Sequence, residues 1–259
     1  MNLGLQGRWA LVCASSKGLG LGCAESLAAE GVHLVMNARG EELLRQQATR
    51  LASLYGVTVH AVPGDITSAD VQAECLKAAL QIDILITNAG GPPPGDFRKF
   101  TRVDWIRAVE ANMLTPIELI KGSIDGMIER GFGRIVNITS SSVKAPIDVL
   151  ALSNGARSGL TGFIAGLARK TAARNVTLNN LLPGAFDTDR LRSTIRVAAI
   201  QQGISEDESA AQRLKAVPAG RFGNAFEFGQ ACAYLCSAQA GYITGQNFLI
   251  DGGAYPGTF

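Results

Sequence analysis

The stretch Cys13–Gly22, CASSKGLGLG, combines glycines and a lysine at a spacing suited to holding a phosphate. Gly18 and Gly20 permit a tight turn and bring main chain close to a pyrophosphate. The helix that follows points its free N–H groups at that anion. Ser15, Ser16, Lys17 and Leu19 complete the turn. A bare glycine pattern is weak evidence, and a ligand-free strand–helix turn is the alternative. Directly after the apolar run WALVCA, at the head of a βαβ chain, the pattern is stronger. The second apolar run ends VMNARG, with no Asp or Glu between Glu30 and Glu41. No carboxylate is available there for a ribose 2′-hydroxyl. Lys17, in the turn, and Arg39, after the run, suit a 2′-phosphate instead, which an arginine grips with two N–H groups. NADP(H) is therefore expected in preference to NAD(H), with Asn37 at the strand end as a further cofactor contact.

Apolar runs must form the elements that position this turn. WALVCA, VHLVMN, VTVHAV, DILIT, GRIVNIT, VTLNNLL and NFLI read as strands. Between them lie helical patterns such as Cys23–Leu27 and Leu43–Leu51. This alternation predicts a single-domain, Rossmann-type α/β fold, a doubly wound parallel sheet in a three-layer α/β/α sandwich. GGPPPGDF reads as a rigid loop, because its prolines exclude helix. Residues 185–220 break the rhythm and are expected to form a mobile helical insertion covering the substrate. The composition is globular, with 47% hydrophobic and 18% charged residues. A net charge of +2 is too weak a field to suggest nucleic acid or an acidic membrane. No apolar run approaches the roughly 20 residues of a membrane span. The first strand starts too early to leave room for a signal peptide. Five cysteines without framework spacing suggest reduced thiols in a cytoplasm. Cys232 and Cys236, one helical turn apart, read as core residues rather than metal ligands. His33 and His60 fall within strands and are expected to be structural.

These motifs, in this order, resemble the short-chain dehydrogenase/reductase family across nearly the whole chain. Cys13 and Ala14 stand where the family's glycine motif opens Thr-Gly, and Gly18 and Gly20 match its later glycines. The resemblance implies several cofactor contacts. Asp65 and Ile66 in GDIT lie beside the adenine, Asn88, Ala89 and Gly90 line the cofactor, and Pro183, Gly184 and Thr188 in PGAFDT lie beside the nicotinamide. It also places Asn112 in EANMLTP and Ser140 in IVNITS in the catalytic set. A homotetramer or homodimer is implied as well.

In that family a helix carries Tyr-x-x-x-Lys. The tyrosine hands a proton to the substrate oxygen and the lysine holds the ribose. Aligning LALSN on this motif puts Leu150 and Asn154 in those places, at a shorter interval from Ser140 than is typical. No tyrosine occurs between Tyr55 and Tyr234, so no shift of alignment restores a phenol. Leu150 donates no proton, whereas Asn154 still offers a hydrogen bond. Losing general acid catalysis is typically worth 10²–10⁴-fold. Arg157 shares the helical face of Leu150 and Asn154 and is available to a ribose or an acidic substrate, though not as an acid at neutral pH. Ser140 can polarise a carbonyl, and Lys144 in TSSSVK is the neighbouring group able to release a proton. The plainer readings are a solvated Lys144 and an ion-paired Arg157. Arg190, Arg192 and Arg196 read as the wet side of a lid helix.

Three functions remain open from the sequence. The first is an NADP(H)-dependent oxidoreductase that interconverts a carbonyl and an alcohol on a small molecule, resembling 3-oxoacyl reductases but with an atypical proton donor. The second is a catalytically silent NADP(H)-binding sensor or scaffold. The third is a non-redox lyase or isomerase on the same fold.

Overall fold

Seven parallel strands of four to eight residues form one sheet in a computed structural model that describes residues 2–258. They are β1 (Trp9–Val12), β2 (His33–Ala38), β3 (Val59–Pro63), β4 (Ile84–Thr87), β5 (Gly133–Ile138), β6 (Val176–Pro183) and β7 (Asn247–Ile250), in the order β3-β2-β1-β4-β5-β6-β7. Every apolar run read as a strand is one. The central strands β4 and β5 are buried at every residue. This burial accounts for their unbroken hydrophobicity, since a parallel sheet is covered on both faces.

Nine α-helices accompany the strands among the described residues: α1 (Gly18–Ala29), α2 (Glu41–Tyr55), α3 (Ala69–Lys77), α4 (Arg102–Val109), α5 (Thr115–Arg130), α6 (Ala151–Thr171), α7 (Asp189–Gln202), α8 (Glu206–Leu214) and α9 (Ala225–Cys236). Side-chain alternation along the strands builds two cores. Ala10, Val12, Leu34, Met36, Ile84 and Ile86 pack with Leu27 of α1, Leu51 of α2 and Phe228 of α9. Leu11, Val35, Leu85, Ile135 and Leu178 pack with Ile120 and Met127 of α5 and Leu160 and Ile164 of α6. α1 and α9 meet backbone to backbone. A Cβ on Gly22 would lie 2.1 Å from the Ala225 carbonyl oxygen, and one on Gly229 would lie 2.1 Å from that of Gly22. This contact fixes α1, and hence the turn before it.

All five cysteines are buried and unbridged, Cys232 and Cys236 among them, and no His/Cys/Asp/Glu group suited to a metal occurs among the described residues. His60 stacks on Trp9 at 5.3 Å, and His33 Nδ1 accepts the Thr58 N–H, so both histidines have structural partners. Residues 185–220 contain α7 and α8. Their starts are capped by Thr188 and by a Ser205–Glu208 capping box, and Ser209 Oγ ties α8 to the Ile195 carbonyl of α7. No described helix is long and apolar enough to cross a membrane.

Candidate active site

The strand order reverses between β1 and β4, and their carboxyl ends open a crevice of the kind that binds ligands in open α/β sheets. The chain leaving β1 makes the turn on one side of this crevice. Ala14 adopts φ +48°, a left-handed conformation rare for a residue with a Cβ, at the position where the family has glycine. Ser15 is buried. Its hydroxyl donates to the Val12 carbonyl, and its N–H donates to the carbonyl of Asn37. Ser16 lies buried beside it, and Lys17 stands at the N-cap of α1 in an extended conformation. No side chain caps α1, so the N–H groups of Gly18, Leu19 and Gly20 are left to an anion. Gly20 is indispensable to this arrangement: a Cβ there would lie 2.3 Å from the Ala14 carbonyl oxygen and 3.1 Å from Asn88 Nδ2. Asn88 follows β4, with Ala89 and Gly90 next along the same rim, and the turn therefore closes on the end of β4.

Two sequence expectations about the cofactor end need correction. Asn37 is buried, and its amide donates to the carbonyls of Val62 and Gly64. Its side chain thus secures β2 to β3 and supports the turn from behind, whereas its carbonyl receives Ser15. Lys17 is not free of a carboxylate. Its ammonium pairs with Asp189 at 2.9 Å, a partner 172 residues away that the local sequence does not reveal. Arg39 is exposed and forms no ion pair among the described residues. At the end of β3, Ile66 is buried, and Asp65 accepts hydrogen bonds from the Thr67 N–H and hydroxyl.

On the far side, Thr188 caps α7 and packs against the turn, its Cγ2 lying 3.7 Å from a Cβ built on Gly18. Gly184, after Pro183, lies so close to Asp251 that a Cβ would sit 2.5 Å from the Asp251 Cβ. Arg190 reaches down from α7 to donate to the carbonyls of Gly91 and Pro92 in the proline loop, so it is not simply on the wet side of the lid. Arg192 and Arg196 do face solvent, paired with Asp187 and Glu206.

The substrate end is built on the end of β5. Ser140 Oγ accepts the Ser142 N–H, so its own proton remains available to donate. Asn112 lies in a π-helical turn, Glu110–Leu114, between α4 and α5, a distortion frequent at functional sites. The Asn112 amide donates to Ala108, and its Oδ1 is buried without a partner. Oγ1 of Thr139, Oγ of Ser142 and Oδ1 of Asn154 are orphaned in the same way. Buried polar atoms are normally bonded. Four of the five orphans among the described residues lie on the segments around one strand end and fit a site whose ligand or water completes them, while the fifth, Thr177 Oγ1, lies at the start of β6.

α6 shows which of its residues face this end. Leu150 closes a 3₁₀ turn, Asp148–Leu150, and is half-buried. Asn154 donates to the Ile147 carbonyl at 2.8 Å. Arg157 is 7% exposed, and its Nη1 donates to the carbonyls of Ile138 and Thr139 at 2.7 and 2.8 Å. It forms no ion pair among the described residues, which corrects its reading as a helix-face partner of a carboxylate. Burial, and secondarily the neighbouring charge of Arg190, pulls its pKa down to about 10. Ser153, one turn earlier, is 5% exposed and was not singled out by the sequence reading. The signal available was a cation four residues after a hydroxyl, S-x-x-x-R. Lys144 is half-buried, with its ammonium 5.7 Å from the centre of the Tyr255 ring.

Residues 13–255 match the family described as enoyl-(acyl carrier protein) reductase. The chain is 30% identical over 260 residues to the 3-oxoacyl-[acyl-carrier-protein] reductase FabG of Aquifex aeolicus, covering 98% of this chain and 100% of that protein. It is 32% identical over 255 residues to the Escherichia coli protein of the same name, covering 98% and 99%. Among solved structures, L-sorbose reductase from Gluconobacter frateurii, complexed with NADPH and L-sorbose, matches with a TM-score of 0.92 at 27% identity, over 99% of this chain and 100% of that one. The chain therefore belongs to the short-chain dehydrogenase/reductase family and, within it, resembles the 3-oxoacyl-[acyl-carrier-protein] reductases.

Proposed function

We propose that this protein is an NADP(H)-dependent oxidoreductase that interconverts a carbonyl and an alcohol on a small molecule, with a proton route that does not use a phenol. One observation carries the reading: the uncapped start of α1, held against the end of β1 by the forced approach of Gly20 to Ala14, is an anion cradle at the point where the strand order reverses. NADPH bound there supplies the hydride. The N–H groups of Gly18–Gly20 receive the pyrophosphate. Arg39, exposed and without a carboxylate, is placed for a 2′-phosphate, and Lys17 joins it by leaving Asp189, since an exposed ion pair is worth little. The segments Asp65–Ile66, Asn88–Gly90 and Pro183–Thr188 line the remaining length of the cofactor. Ser140 donates a hydrogen bond to the substrate oxygen and polarises it, and Arg190, with the rest of the insertion 185–220, covers the substrate. Asn112 and Asn154 hold water with their unpartnered oxygens.

The reading is supported by relatives named as 3-oxoacyl reductases and by neighbours solved with NADPH. Fluorescence titration with NADPH and NADH, followed by absorbance at 340 nm with 3-oxoacyl thioesters and simple ketones, tests it. NADPH binding with substrate-dependent oxidation is expected, and Ser140→Ala should lower turnover with little change in cofactor affinity. Lys144→Ala is expected to leave turnover within about threefold, because its ammonium lies over Tyr255; a larger loss would make it the proton source. The absence of a phenol favours one other reading, a silent NADP(H) sensor, which binding without turnover across the panel would select. The exposed apolar side chains Val103, Ile106 and Leu114 give a homo-oligomer a surface to cover, and sedimentation velocity tests that assembly.

A further inference from the structure

Arg157 is a buried cation whose Nη1 is held by the last two carbonyls before Ser140, so its guanidinium lies level with the carboxyl end of β5. α6 runs back along the sheet from that end. Thr171, at its far end, donates to the carbonyl of Val176, where β6 begins. A residue four positions before Arg157 therefore stands about 6 Å higher, above the strand end and on the same helical face. That residue is Ser153. It is nearly buried, yet among the described residues its hydroxyl makes no hydrogen bond, and its oxygen is not one of the sealed orphan atoms. The outer faces of the helix are already committed. Gly155 packs on Trp105, Gly159 packs on Met113, and Asn154 is bonded to Ile147.

We propose that Ser153 and Arg157, not Leu150 and Asn154, form the pair that acts on the reacting oxygen, with Ser153 as a proton relay and Arg157 as the cation beneath it. The proposal rests on the carbonyl-reductase reading. As hydride adds to the carbonyl carbon, the π pair of the C=O bond moves onto oxygen. That oxygen takes the Ser153 proton, and the serine oxygen takes a proton from a crevice water, which solvent replenishes. One bulk proton is consumed per hydride. A serine hydroxyl is a weaker acid than a phenol and does not lose its proton to stand as an alkoxide. It passes one proton on as it receives another. Arg157 releases no proton at neutral pH, and its charge, little screened where it lies, stabilises the transient negative oxygen.

The decisive experiment places a phenol in each register. Ser153→Tyr and Leu150→Tyr are titrated by absorbance at 295 nm against the wild-type protein, without cofactor or substrate. A phenol over Arg157 should ionise 1–3 pH units below the ordinary value of about 10, whereas one at position 150 should not. Equal midpoints, or the lower one at 150, overturn the assignment. Should the tyrosine at 153 prevent folding, Ser153→Ala and Ser153→Thr decide the matter. Alanine should lower kcat 10²–10⁴-fold with KM and NADPH affinity unchanged, and threonine should restore most of it. An alanine variant within twofold of wild type also overturns the assignment. A wild-type protein that binds NADPH but turns over nothing defeats the reductase reading alone, because the phenol titration needs no turnover.

Discussion

Replacing Gly20 with alanine tests the cradle on which the cofactor reading depends. The added Cβ would lie 2.3 Å from the Ala14 oxygen and 2.9 Å from its carbonyl carbon. Both are main-chain atoms, so no side chain can rotate to relieve the overlap, which is most of an ångström below the shortest ordinary contact. Ala14 is already left-handed at φ +48° and has little freedom to retreat. α1 is pinned on its other side by the contact of Gly22 with Ala225. The turn must therefore open, which costs about 1–3 kcal/mol, as overpacking does. For a chain of this size that is a fall of roughly 3–10 °C in melting temperature. Opening also carries the N–H groups away from the pyrophosphate, and losing one or two charge-assisted hydrogen bonds at about 1.5–3 kcal/mol each weakens NADPH binding by roughly ten- to ten-thousandfold. Two controls separate space from conformation. Gly166→Ala, at an exposed position of α6, meets nothing within 4 Å and should bind NADPH normally. Gly18→Ala meets no close atom but must hold φ +59°, a strain of about 1–2 kcal/mol. Binding by fluorescence and stability by thermal melting should therefore rank the variants Gly166, then Gly18, then Gly20 in order of increasing damage. A Gly20 variant that keeps the wild-type melting temperature and NADPH affinity refutes the close-approach argument and the cradle with it.

Other expectations test separate parts of the structure. Arg39→Ala should weaken NADPH about tenfold or more and leave NADH unchanged, as measured by paired titrations. Arg134 is 1% exposed and donates to the carbonyls of Ser237, Gly133 and Asn175 and to Asn175 Oδ1. Arg134→Met should orphan these groups and cost about 3 kcal/mol or more, visible as a large fall in the urea midpoint. Burial lowers the Arg157 pKa to about 10, so the unfolded chain holds that proton more tightly. The resulting penalty is complete below pH 10 and lifts as pH rises above it. Wild type should therefore lose less stability between pH 9.5 and 11 than Arg157→Met does, by urea melts at each pH.

What the sequence disclosed depended on the range of the interactions involved. Seven apolar runs and the turn CASSKGLGLG were legible because a buried parallel strand and a tight strand–helix turn each impose a local residue pattern. Asp189 was invisible as the partner of Lys17 because the pairing exists only once α7 folds over the turn. Asn37 looked like a cofactor contact because it ends β2. Only the pairing with β3 shows its amide spent on Val62 and Gly64. The face of α6 was hardest to read. Leu150, Ser153, Asn154 and Arg157 fall within a helical sector too narrow to resolve by counting, and what separates them is the strand end that holds Arg157.

Arg157 also explains why this site tolerates a cation without a carboxylate. A buried charge is costly, and a carboxylate beside it would offset that cost, but it would also cancel the field that a developing oxyanion needs. Two carbonyl dipoles at the end of β5 do the first without the second. They satisfy Nη1 and hold the guanidinium in place, yet carry no net charge, so on the proposed reading the positive potential still reaches a substrate oxygen above. Arg190 is likewise anchored by the carbonyls of Gly91 and Pro92 and adds to that potential. Arg157 rests on the end of β5, and Arg190 rests on the loop that follows the adjacent strand β4. On the proposed reading, two unneutralised charges stand ordered before any ligand arrives, and a negative oxygen formed near them requires little reorganisation of the protein.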